Sequence, residues 1–157
     1  MPRTAWTRDQ RAHAGREILL GALISALFSI GFVFLIFGGA RQIASRSLMW
    51  DAVPQSFMIV LMASLVPGLF ARAKIASGVL RTGSGNSPSV KWIVTRALFF
   101  ALITAALALA CHALVLPIVA PQGAVFTHVL IFKLVYGAML GAAAVALLFR
   151  RLFATQA

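Results

Sequence analysis

Four apolar stretches, Ile18–Phe37, Ala52–Ala71, Ala97–Leu116 and Phe126–Phe149, constrain this chain more than any other feature. A helix needs about 20 apolar residues to cross the ~30 Å hydrocarbon layer of a bilayer, and each stretch reaches that length. Inside lipid every backbone N–H and C=O must be satisfied within its own segment or by a closed barrel, so long apolar runs of this kind read as helices. The expected fold is therefore all-α: an integral membrane four-helix bundle forming a single domain over residues 1–157. The chain is 61% hydrophobic, where a soluble domain is roughly half apolar. Little sequence is left outside the spans to fold separately.

The first stretch follows Arg3, Arg8, Arg11 and Arg16, as a signal peptide would. A signal core is only about 7–15 residues long, so Ile18–Phe37 is expected to stay as a span.

The net charge is +11, with 14 Lys and Arg against 3 Asp and Glu. In a soluble protein this balance would point to nucleic acid. Here the basic residues flank the spans, and topology accounts for them without a nucleic-acid partner. The N-terminal segment carries four, residues 72–96 carry five and the C-terminal segment two; the first loop carries Arg41 and Arg46, and the third loop none. The positive-inside bias then predicts both termini in the cytoplasm. Arginine and alanine usage fits a bacterial inner membrane protein. Trp6, Trp50 and Trp92 fall at span edges, where indole rings favour the headgroup layer.

Local signals divide the chain further. Thr7 and Gln10 have capping-box spacing for a short surface helix. Gly38-Gly39 stops the first span. Asp51 is placed to cap the second, with Pro54 in its first turn, and Pro67 is expected to kink it. Residues 72–96 form a basic linker, with Ser87-Pro88 as the start of the third helix. Pro117, Pro121 and Gly123 make a tight turn that joins the third and fourth helices as an antiparallel hairpin. Gly21, Ser25 and Ser29 form a small-residue stripe on the first span, and Gly137 and Gly141 form another on the fourth; such stripes let helices approach closely, within one chain or between copies.

Ionisable residues at membrane depth are costly and are the default functional candidates. The expected topology gathers Asp51, Gln55, His112, His128, Lys133 and Tyr136 toward one end. Lys133 has two readings: snorkelling to the headgroups, or pointing inward with the glycines and pairing with Asp51. His112 is expected to hydrogen-bond across helices, and Cys111 to be a small buried group. No Ser–His–Asp set, metal-ligand spacing or phosphate-binding loop is visible, so neither a catalytic residue nor a cofactor is assigned. Three functions stay open. The first is a non-catalytic accessory protein working through contacts with lipid, a second copy or another membrane protein. The second is a small transporter or channel using the polar group, and the third a lipid-acting enzyme drawing on His112, His128 and Asp51.

Overall fold

A computed structural model describes residues 8–80 and 87–154. Four long helices dominate it: α1 (Arg8–Phe37), α2 (Ser45–Ala76), α3 (Val90–Val119) and α4 (Phe126–Ala154). All four are long and apolar enough to cross a membrane. At 1.5 Å per residue, the 30 residues of α1 reach about 45 Å, well beyond the hydrocarbon layer. The helices therefore carry their basic ends outside it. We call the end bearing the α1–α2 and α3–α4 turns the loop end, and the opposite one the terminal end.

The helices do not pack in chain order. The principal pairings are α1 with α4 and α2 with α3, while α2 also packs on α4 and touches α1 only lightly. α2 and α4 thus hold the middle of the bundle, with α3 against α2 and α1 against α4. The turn after α3 is tight, with Gly123 N–H donating to Ala120 O at 3.0 Å, but the hairpin expected from it is not the main packing unit. Small residues decide this. The stripes of α1 and α4 face one another: a Cβ added at Gly137 would meet Ser29 Oγ, and one at Gly141 would meet Ser25 Oγ. Gly21 lies equally close to Val145, at 2.6 Å from its Cγ2 for an added Cβ. With no side chain on α4 there, α1 approaches backbone to backbone.

At the loop end the two turns are clasped together. Two-residue strands β1 (Gln42–Ile43) and β2 (Ala124–Val125) pair antiparallel, Gln42 opposite Val125 and Ile43 opposite Ala124. Gln42 Nε2 donates to Gln122 O at 3.0 Å, and the Ser45 hydroxyl donates to Ala120 O. Gly39 and Gly123 have φ values of 90° and 92°, a region that costs an L-residue energy. A Cβ at Gly123 would also strike Ile43 O, whereas one at Gly39 meets nothing within 4 Å. Gly123→Ala is thus expected to cost about 2–3 kcal/mol and Gly39→Ala about 1 kcal/mol, read by thermal unfolding in detergent. Equal effects would mean that the clasp is not under steric control.

Several helix boundaries differ from expectation. α2 begins at Ser45, so Asp51 lies within the helix and Pro54 is an interior residue instead of a first-turn one. Apolarity marks contact with lipid, and the helix continues past it because the β clasp holds Ser45 in place. α3 is capped by Ser89, whose Oγ accepts from Trp92 N–H at 3.2 Å, and not by Ser87. Pro117 is inside α3, one turn before the connection. Pro67 is interior to α2, where the second span places it. α1 begins at Arg8, so Thr7 of the expected capping box lies outside the described residues.

The core falls into two apolar clusters. One, at the terminal end, includes Ala14, Val60, Ala63, Ala101, Val145 and Phe149; the other, at the loop end, includes Val33, Phe37, Ile43, Leu48 and Val129. Between the two clusters, α1, α2 and α4 each bury polar side chains: Ser25 and Ser29 on α1, Asp51, Gln55 and Ser56 on α2, and Lys133 on α4.

Candidate functional site

This polar layer is built from helical repeats. Asp51 and Gln55 are one turn apart on α2, so both face α4; Lys133 and Gly137 are one turn apart on α4. Lys133 is 1% exposed, among the most buried large side chains of the protein. Its Nζ lies 2.7 Å from Asp51 Oδ2 and donates to Gln55 Oε1 at 2.6 Å. Of the two readings of Lys133, the inward one is therefore correct and snorkelling is not.

The chain of donors runs on. Gln55 Nε2 donates to Ser29 Oγ at 2.9 Å, and Ser29 Oγ donates to Ser25 O at 2.9 Å. One relay thus crosses from α4 through α2 to the backbone of α1. Its last step depends on the glycine stripe, because Ser29 reaches Gln55 only when α1 sits tightly against Gly137. Packing and polarity are one device here.

A second polar pair lies beside it. Ser56 Oγ donates to Ala52 O at 2.6 Å and is 2.6 Å from Tyr136 Oη. A serine hydroxyl has one proton, so Tyr136 must be the donor in that contact. Neither Ser56 nor the polar role of Ser29 stands out in the sequence; a serine one turn from Ala52 or from Ser25 gives no chemical signal before the helices are paired.

His112 does not bond across helices as expected. Its Nδ1 is 2.8 Å from Ala108 O, one turn back on α3. A carbonyl accepts, so Nδ1 carries the proton and Nε2 is left as a bare acceptor. That Nε2 is buried without a hydrogen-bond partner, as is Asp51 Oδ1. The ring stands edge-on to Phe132 and Tyr136, with centroids 6.0 and 5.8 Å away.

His112 also lines a cleft of about 380 Å³ between the loop-end halves of α3 and α4, shared with Cys111, His128, Phe132, Lys133 and Tyr136. Cys111 is exposed instead of buried. His128 is exposed as well. Asp51 and Gln55 face away from the cleft into the bundle, so the six candidates divide between a sealed pair and a cleft, with Lys133 and Tyr136 bordering both. Asp51 takes Lys133 as its ionic partner and neither His112 nor His128. Among the described residues no three His, Cys, Asp or Glu side chains converge as metal ligands.

The chain matches no protein-family model, no curated protein and no solved structure.

Proposed function

We propose that this chain is a non-catalytic multi-pass protein of the bacterial inner membrane, with both termini in the cytoplasm, that acts through helix contacts with another membrane protein or a second copy. The observation that carries this reading is the sealed Lys133–Asp51–Gln55–Ser29 relay. A solute pathway needs its charged groups facing water, whereas these spend their hydrogen bonds on one another and tie three helices together. Buried ionic groups of this kind contribute little net stability and much to fixing one register. The cytoplasmic placement of the termini rests on the basic residues crowding the terminal end.

A second reading, a small transporter or channel, draws support from the cleft and the unpartnered His112 Nε2. Cys111 separates the two. If the cleft is filled by lipid, Cys111 reacts in intact spheroplasts with a lipid-soluble maleimide and not with an impermeant sulfonated thiol reagent. Reaction with the impermeant reagent from outside, without any denaturation step, would put water at the level of His112 and favour transport.

A further inference from the structure

A buried acceptor, Nε2 of His112, stands in the wall of the cleft between the loop-end halves of α3 and α4. His112 is 7% exposed, and this nitrogen has no hydrogen-bond partner. The other ring nitrogen, Nδ1, donates its proton to Ala108 O of the same helix, 2.8 Å away. Nε2 is the distal nitrogen, so it points away from α3, toward the side where Phe132 and Tyr136 of α4 meet the ring. A buried acceptor without a donor costs free energy that a bound donor recovers. With Nδ1 committed, the ring can receive a proton donor from the cleft and cannot supply one.

The rest of the wall describes the body that would carry such a donor. Lys133 turns its ammonium to Asp51 and Gln55, and Tyr136 its hydroxyl to Ser56, so both present carbon to the cleft. An apolar wall of this kind disfavours a charged donor and suits a neutral hydroxyl. Phe132 and Tyr136 stack at 17° with centroids 5.9 Å apart, and His112 stands edge-on to both. Such walls accept a further ring, offset-stacked or edge-on. Phe132 is 52% exposed, so its ring has room to turn as a ligand enters. The volume of about 380 Å³ lies within the ~300–1,000 Å³ of small-molecule sites, which combine apolar lining with a few placed polar groups. A membrane-soluble molecule that joins a planar ring, an apolar tail and a neutral hydroxyl is a quinol. Its oxidised form, the quinone, has carbonyl acceptors where the quinol has hydroxyls, and would meet Nε2 lone pair to lone pair.

We propose that this cleft binds the ring of a lipid-soluble quinol, one hydroxyl donating to His112 Nε2, and that it prefers the quinol to the quinone. The inference concerns binding alone and stands under either reading above. Cys111, the one cysteine of the chain, lines the same cleft and is exposed, which makes occupancy measurable. Full-length protein in anaerobic liposomes is treated with a lipid-soluble maleimide in the presence of increasing decylubiquinol, decylubiquinone or the dimethyl ether of the quinol, whose fully substituted rings resist addition of the thiol. The quinol is expected to slow Cys111 alkylation with roughly tenfold higher apparent affinity than the quinone or the ether, the effect of satisfying one buried acceptor. His112→Phe keeps a ring in place and removes the acceptor, and should bring the ratio close to one. Equal protection by quinol, quinone and ether in the parent protein overturns the site, a result that needs no variant to fold. So does protection by decanol as strong as that by the quinol, which would leave no role for the ring. A ratio that survives His112→Phe, or a Cys111 whose alkylation no ligand slows, overturns it as well.

Discussion

Lys133→Met is expected to destabilise the protein by about 3–5 kcal/mol, and Asp51→Asn by a similar amount. Each change leaves the other charge, or a strong hydrogen-bonding group, sealed among helices with no water to replace its partner. Lys133→Met also takes the donor from Gln55 Oε1, 2.6 Å away, and so loosens the relay to Ser29. The pair itself is a different matter. Its attraction largely offsets the cost of burying two ions, so removing both charges together is close to neutral. Asp51→Asn with Lys133→Met should therefore recover to within about 1 kcal/mol of the parent. The comparison is a double-mutant cycle by reversible unfolding in mixed micelles. Single variants that unfold like the parent would mean the pair is hydrated, and the sealed-bundle account would be wrong at its centre.

The second large effect is expected at Gly137. In Gly137→Ala the new methyl would overlap Ser29 Oγ and sit 2.9 Å from Ser25 O, an α1 backbone atom that cannot rotate away. Relief requires α1 to move off α4, and that movement also pulls Ser29 from Gln55. Overpacking of a tight contact costs about 1–3 kcal/mol, and we expect the upper end because a buried hydrogen bond is lost with it. Gly31→Ala is the matched control: it lies on α1, and an added Cβ there meets nothing within 4 Å. Without a clash, the better helix propensity of alanine should leave it neutral or up to about 1 kcal/mol more stable. If the two alanines behave alike, the α1–α4 seam is not the close contact described above.

The four spans are legible in the sequence because a helix that long and that apolar on every side must be covered by lipid. Both small-residue stripes are legible because their spacing matches the helical repeat. That the stripes face each other is not. Chain order favours neighbours, and nothing local in Gly137 or Ser29 says which helix it will meet. Asp51 resembles a cap for a related reason: the apolar run starts at Ala52, but the helix starts at Ser45, where the β clasp anchors it. The clasp itself has two residues per strand, too short for any alternation to register. Lys133 is ambiguous in sequence because its depth alone allows both snorkelling and pairing; the glycines one and two turns along α4 carry the clue to its direction. His112 is legible as a polar residue in an apolar helix, but its bond to Ala108 O depends on the ring rotamer, which spacing along the chain does not set.

The most direct test of the account is ion flux. Purified protein is reconstituted into liposomes holding a pH-sensitive dye, a proton gradient and a potassium diffusion potential are imposed together, and the rate of dissipation is recorded for the parent and for Lys133→Met. A bundle whose charges are spent on one another should dissipate the gradient no faster than protein-free liposomes. Faster dissipation by the parent, lost in Lys133→Met at equal protein incorporation, would show that Lys133 serves a pathway and would contradict the account.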